Sequence, residues 1–468
     1  MPGTAALNRG QDASITSVSC SSAGNCGAGG YYSRRPGADA DFGIFPGLPQ
    51  SYAVAGARAF VVSQVRGTWG TAAPVRLPPG ALGGWVQAVS CTAPGECAAG
   101  GSYADRGGQQ RDFVVSQVRG TWGAARPAPG TAAFAGATVS ELSCASPGNC
   151  AAGGSYLGAG NRRRMFVAGQ AHGTWDTARA VRTAAGYLTF VSQLPGLSAL
   201  SCASAGNCSA GGEFQVPDPA VPGVSETQAF LISETNGTWG PAVEVPGTAT
   251  LNQGNRAAVT AMSCRAPGGC TAAGTYQARG GELHAYVISE ANGTWGVARQ
   301  VPGAAALMDT SGFSTATVYS VSCSSPGNCA AGGFAGLRAF VVSQVNGAWG
   351  TARPLSGTGT LRTARLIINT VACGSPGHCS AAGHYLARTR SGLFVAREVR
   401  GRWGPARAIP GLAVLTRHFQ ADITSVACDP AGRCSAGGNY PNGQVTPVPH
   451  GGYPHLQAFV VSEPQHAG

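Results

Sequence analysis

Short apolar runs, separated by clusters of Gly, Pro, Asn and Ser, recur along the whole chain, and one unit of this pattern reads as four strands. In the first unit the first three runs are ITSVSC, CGAGGYY and AFVVSQ, and the fourth is TWG-x-A-x-x-V. The segments AFVVSQVRGTWG (59–70) and AFLISETNGTWG (229–240) show how the third run passes through a turn into the fourth. No stretch sustains a helical period, so the pattern predicts an all-β chain.

Two landmarks fix the repeat. The first is a pair of cysteines six positions apart, in a setting like Ser-x-Ser-Cys-x5-Cys-x-Ala-Gly-Gly. The pairs are Cys20 with Cys26, Cys91 with Cys97, Cys144 with Cys150, Cys202 with Cys208, Cys264 with Cys270, Cys323 with Cys329, Cys373 with Cys379, and Cys428 with Cys434. The second landmark is the tryptophan after the turn: Trp69, Trp122, Trp175, Trp239, Trp295, Trp349 and Trp403. Trp85 lies outside the pattern, and the eighth repeat, ending AFVVSEPQHAG, has no tryptophan. Four strands per unit, repeated eight times at periods of 50 to 71 residues, predict a single eight-bladed β-propeller over 1–468. Its last blade would lack the outer strand in this sequence.

Spacing then separates two faces. The interval from first to second cysteine is always six, and from the third-strand aromatic to the tryptophan (Phe60 to Trp69, Tyr286 to Trp295, Phe394 to Trp403) always nine. From second cysteine to that aromatic the interval runs from 11 to 34, and from tryptophan to next cysteine from 22 to 28. In an up-and-down blade the first and third turns share one face, while the second turn and the crossover share the other. One face is therefore uniform and the other variable, and the variable one is the candidate binding face. Its long segments are 31–58, 212–227 and 441–457.

Cysteines flanking a five-residue hairpin loop can lie opposite each other on antiparallel strands, within reach of a disulfide. Each such loop contributes about 2 kcal/mol on a chain-entropy account. Reduced structural thiols and metal binding are the alternatives. Zinc sites favour closer pairs with a second pair nearby, and the histidines do not follow the repeat. Sixteen pairable cysteines point to an oxidising compartment, a secreted or cell-surface location. The N-terminus carries no secretory signal. MPGTAALNRG (1–10) aligns with VPGTATLNQG (245–254), which leads to the expectation that Met1 is an internal valine codon read as initiator. An upstream segment would then carry the signal peptide and the closing strand.

The turns Ser233-Glu234-Thr235-Asn236-Gly237-Thr238-Trp239 and Ser289-Glu290-Ala291-Asn292-Gly293-Thr294-Trp295 resemble shortened Asp-boxes, the Ser-x-Asp-x-Gly-x-Thr-Trp turns of sialidase-type (BNR) propellers. They are one residue shorter, with Asn or Arg in place of the Asp, and Ala348 and Arg402 replace Thr in two repeats. The resemblance implies a fold in which Gly permits the turn and Trp packs between blades. Sialidase chemistry, with three arginines and a Tyr–Glu pair, is not placed on any residue by a motif. Glu141 and Asp422 lie on expected innermost strands, where they either face the channel or are solvated strand-end carboxylates.

No hydrolase, zinc-protease or phosphate-loop motif occurs, and pairs such as Gly29-Gly30 and Gly153-Gly154 belong to the second strand. The net charge of +11 comes from 31 basic residues that are all arginine, a pattern of GC-rich codon usage in a bacterium as much as of a partner. Arg162-Arg163-Arg164 is read as a solvated second-turn loop on the variable face, without the aromatic interleaving that stacks bases. Asn236-Gly237-Thr238 and Asn292-Gly293-Thr294 match the glycosylation sequon but read as turns. No run is long enough to span a membrane.

The sequence thus supports a non-catalytic, monomeric propeller that binds a glycan, cell-wall component or protein, with no cofactor, metal or nucleic acid. The alternatives are a sialidase-like glycoside hydrolase and the extracellular sensor portion of a larger receptor. Thiol labelling of the native exported protein should detect no cysteine before reduction and all 16 after it. Extensive labelling without reduction would overturn the disulfide assignment.

Overall fold

Each innermost strand pairs antiparallel with a second strand across its cysteine hairpin, so that Cys20 faces Cys26 and Cys144 faces Cys150 in register. In the computed structural model of the chain the described residues are 2–10, 12–34, 56–183, 186–187, 189–190, 196–217, 225–308, 314–358, 361, 364–387, 391–409, 422–428, 434–448 and 451–462. The protein is an all-β propeller of eight blades. Blade 1 is built from Ala13–Ser22, Asn25–Ser33 and Ala57–Val65, followed by an outer strand in two short pieces. Thr68–Trp69 pairs with the end of the third strand and Ala73–Pro74 with its middle. The continuous fourth strand expected from the sequence is interrupted there because its register slips by one residue between the Gln64–Trp69 pair and the Val61–Ala73 pair, just past the bond from Gly70 N–H to Ser63 O at 2.9 Å. Among the described residues the eighth sheet has three strands, Asp422–Cys428, Cys434–Val448 and Gly451–Ser462.

The ring closes through the innermost strands. Each contacts those of the two neighbouring blades, Ala13–Ser22 touching both Gly83–Ala93 and Asp422–Cys428. The free edge of each innermost strand faces the central channel. Apolar clusters straddle consecutive blades: Ala59 and Val61 of blade 1 pack with Val86, Val89, Phe113 and Val115 of blade 2. A blade therefore cannot bury its own face alone.

Every innermost strand carries a one-residue β-bulge, at Thr16, Gln87, Ser140, Ser198, Thr260, Tyr319, Asn369 and Thr424. In six blades the bulged side chain donates to the carbonyl of the apolar residue before the next blade's bulge. Thr16 Oγ1 reaches Val86 O at 2.7 Å, Ser140 Oγ reaches Leu197 O at 3.1 Å and Ser198 Oγ reaches Val259 O at 2.6 Å. Thr260 Oγ1 bonds Val318 O at 2.6 Å, Asn369 Nδ2 bonds Ile423 O at 2.9 Å, and Thr424 Oγ1 closes the circle on Ile15 O at 2.6 Å. The bulge also explains the Gly-Gly pairs. A Cβ on Gly30 would collide with Ser14 O, and one on Gly29 with the Val86 side chain of the next blade.

The serine before the first cysteine in blades 1 to 6, replaced by Ala372 and Ala427 in blades 7 and 8, forms a second belt. Ser19 Oγ accepts Cys91 N–H at 2.9 Å, and Ser90, Ser143, Ser201, Ser263 and Ser322 do the same for the next blade's cysteine. A third belt lies further out. Trp122 Nε1 and Gln117 Nε2 of blade 2 both donate to Ser63 Oγ of blade 1, at 3.2 and 2.8 Å.

On the uniform face the two constant turns are tied together. Gly67 N–H donates to Gly24 O, and the same bond recurs as Gly120–Gly95, Gly173–Gly148, Gly237–Gly206, Gly293–Gly268, Gly347–Gly327 and Gly401–Gly377, all at 2.8–3.0 Å. The tryptophan turn has positive φ at both central residues, for example 48° at Asn236 and 79° at Gly237, the geometry of a type I′ hairpin. Arg66, Arg119 and Arg400 hold the first position at 49°, 49° and 52°, where an L-residue other than Asn or Asp is strained. Replacing Arg119 by Asn should raise stability by about 0.5 kcal/mol, and Asn292→Arg should lower it by a similar amount. Thermal unfolding of the two variants beside the parent checks both signs.

Candidate functional site

Each innermost strand runs from the variable face toward its cysteine hairpin, so residues before the bulge lie near the variable mouth of the channel. Arg256 and Arg365 occupy the same register position there, each three residues before the apolar residue that precedes the bulge. Arg256 lies within electrostatic range of Glu213, whose pKa burial raises and the guanidinium lowers in part. Arg365 stands in the same relation to Tyr319, which burial raises and Arg365 lowers in part. The Tyr319 ring lies 5.6 Å from that of Phe334, tilted by 36°.

Of the two carboxylates singled out in the sequence, Glu141 sits on the innermost strand Ala135–Ser146, in the residue after the bulge. Burial pushes its pKa up to about 8. Other blades carry Ser17, Ser320 or Ser425 at this position, and their hydroxyls bond the next blade's backbone. Asp422 begins the innermost strand of blade 8, and its side chain lies outside the described residues. Trp85 is buried on the innermost strand of blade 2. Arg163 and Arg164 belong to the third strand Arg163–Ala171 rather than to a loop, and Arg163 Nη1 donates to Ser155 Oγ at 3.3 Å.

The long variable segments are only partly visible: 35–55 of the first and 218–224 of the second lie outside the described residues. The third is a hairpin extension in which Val445 to Val448 pair with Pro454 to Gly451. The cysteines lie away from these features, at the uniform face. Cys20 and Cys26, Cys91 and Cys97, Cys144 and Cys150, and Cys202 and Cys208 are each at disulfide distance. So are Cys264 and Cys270, Cys323 and Cys329, Cys373 and Cys379, and Cys428 and Cys434, which puts every pair at an S–S distance between 2.03 and 2.10 Å. Cys97, Cys208, Cys270 and Cys379, the second member in four of these hairpins, are buried between blades and open onto no part of the variable face. Among the described residues no three His, Cys, Asp or Glu groups gather to hold a metal ion, and no helix is long and apolar enough to cross a membrane.

The sequence reading missed one coupled departure at the boundary of blades 3 and 4. Gly169 stands where blade 1 has Ser63, and Asp176 where it has Gly70. A Cβ on Gly169 would lie 2.9 Å from Glu234 Oε1 and 3.4 Å from Asp176 Oδ2, so both carboxyls crowd the place of the missing hydroxyl. The indole N–H of Trp239, which the absent serine would have accepted, has no partner among the described residues. Each half of this exchange is visible in the sequence, but only the aligned blades show that they meet.

No family model matches the chain, and no curated protein matches it. Among solved structures it is similar to Sqt1 from Chaetomium thermophilum, at 11% identity over 97% of each chain with a TM-score of 0.47. It is also similar to the BP39L lectin from Burkholderia pseudomallei, at 14% identity over 85% of this chain and 99% of that one, TM-score 0.42. A Hadza microbial sialidase matches at 12% identity over 71% of this chain and 70% of its own, TM-score 0.38.

Burial, followed by the neighbouring Asp176, pushes the Glu234 pKa up to about 7. A carboxyl whose folded pKa is raised stabilises the fold fully below the ordinary carboxylate range and loses that contribution as pH climbs through 7. Stability should therefore fall between pH 5 and pH 8. Glu234→Gln, which restores the residue found as Gln64, Gln117 and Gln344 in other blades, should flatten this loss and gain on the order of 2 kcal/mol at pH 8. Thermal unfolding across that pH range measures it, and an unchanged profile in the variant would contradict the assignment.

Proposed function

We propose that the chain is an exported, non-catalytic bacterial propeller that recognises a glycan, cell-wall component or protein through its variable face. In this reading the chain is one propeller domain, the cysteine pairs are disulfides and the tryptophan turns are shortened Asp-boxes, all serving the scaffold. The observation that carries the reading is the division between the faces. The uniform face repeats one inter-turn hydrogen bond in seven blades, which leaves its backbone committed to structure. The variable mouth instead presents residues that differ from blade to blade, among them Arg256, Arg365, Tyr319 and Phe334. Constant scaffolding on one side and diversity on the other is the arrangement of a binding platform.

A second reading, a sialidase-like glycoside hydrolase, is favoured by one observation. Glu141 has its pKa raised to about 8, so its carboxyl is held protonated near neutral pH, as a general acid requires. Glycan-array and cell-wall binding, run beside a fluorogenic sialoside assay, separates the two. Saturable binding without turnover is the expected outcome. Turnover abolished by Glu141→Gln would replace the binding reading with the enzymatic one.

A further inference from the structure

Eight repeats provide an internal control, because a residue that leaves the common pattern without a structural gain marks a position released for another task. The bulge ring is interrupted at two places, Gln87 and Tyr319. The phenol at 319 makes no bond to Ile368 O, the carbonyl that a Ser, Thr or Asn would reach at that position. Tyr319 is instead 45% exposed on the channel wall.

Blade 6 departs a second time, and in the same place. The residue two after the Gly-Gly pair is aromatic in blades 1 to 4, as Tyr32, Tyr103, Tyr156 and Phe214, and is buried between blades. Blade 6 has Ala335 there and moves its aromatic back one position to Phe334. A shift of one along a strand transfers a side chain to the other face of the sheet. Phe334 thereby leaves the inter-blade core and meets the ring of Tyr319.

Blade 6 also has the shortest second turn, with 11 residues from Cys329 to Phe340. The turn itself exposes Leu337, at 39%, next to the exposed Arg338. Arg365 enters from blade 7 within electrostatic range of Tyr319. The sector therefore combines an exposed aromatic ring with cationic groups at its margin. The 540 Å³ cavity between blades 1 and 2 lies elsewhere, lined by Trp122 and Val61 among others. An exposed aromatic ring suits a pyranose ring, whose C–H face packs on aromatic carbon while its substituents reach flanking polar groups. The arginine matches a carboxylate on that ring by charge and by paired N–H geometry.

We propose that Tyr319, Phe334 and Arg365 form a subsite for a carboxylated sugar, the ring lying on Tyr319 and the carboxylate on Arg365. This rests on the variable-face binding reading and names its ligand class. Titration calorimetry of the full chain with a galacturonate hexamer, against a neutral glucose hexamer, tests it. The wild-type protein is expected to bind the acidic oligomer in preference to the neutral one, with affinity that weakens as salt is added. Tyr319→Thr, which returns a hydroxyl to the bulge ring and so preserves folding, should weaken binding at least tenfold. Arg365→Gln should remove the preference for the acidic oligomer while leaving the neutral one unchanged. Equal affinity in the wild type and both variants would overturn the subsite. So would failure to bind galacturonate by a protein that captures another ligand on its variable face. Failure to bind any glycan, cell-wall fraction or protein would overturn the binding reading beneath it.

Discussion

The hydrogen bond from the innermost-strand bulge to the next blade is the constraint on which the rest of the structure depends. It does three things with one short polar side chain. It satisfies a carbonyl on a strand edge that faces the channel and has no strand beside it. It fixes register at six of the eight blade boundaries, all but those that follow Gln87 and Tyr319, and Thr424 returns it to Ile15. A bulge is needed for this, since regular pleating would not free a residue from the ladder to point across the blade boundary. The crowding that the bulge causes on the second strand is then relieved by glycine.

This polar belt matters because the apolar core is built from small residues. Inter-blade clusters are dominated by Ala and Val, with one large aromatic per third strand, such as Phe60, Phe113 or Phe166. Small side chains pack closely but specify register weakly, because Ala against Val tolerates sliding better than interlocked large groups do. Directional bonds supply what shape does not. The serine before the first cysteine in blades 1 to 6 and the tryptophan turn extend the same logic outward, so that bonds between blades recur at the channel, at the cysteine hairpin and at the rim. The cysteine pairs then sit within hairpins already held by neighbours.

Much of this architecture was legible in the sequence, because it is written in constant intervals. Six residues between cysteines and nine between aromatic and tryptophan report two hairpins of fixed length, and those became the tied turns of the uniform face. The serine before the first cysteine was also visible as a letter, but its partner is a backbone N–H in another blade, which no interval reveals. The bulge was hidden more deeply, since Thr, Gln, Ser, Tyr and Asn all occupy it and share only a polar group. The Gly169–Asp176 exchange was invisible for a related reason. Two substitutions seven residues apart look independent until the hairpin brings them to one point, together with a glutamate from the next blade.

That exchange and the departure at Tyr319 differ in a way that bears on where function lies. At Gly169 a lost hydroxyl is answered by a carboxyl entering the same space, so the volume is refilled inside the boundary of blades 3 and 4. The change is a repacking within that boundary. At Tyr319 a lost donor is not replaced, the carbonyl of Ile368 receives no side chain from blade 6, and the new ring turns toward solvent. Phe334 follows it out of the core, leaving Ala335 in the buried position. Two linked losses of packing and hydrogen bonding, both exposing aromatic surface beside an arginine, are costly for a scaffold and useful for recognition. The channel wall of blade 6 is thus where the repeat has been bent away from its own structural rule.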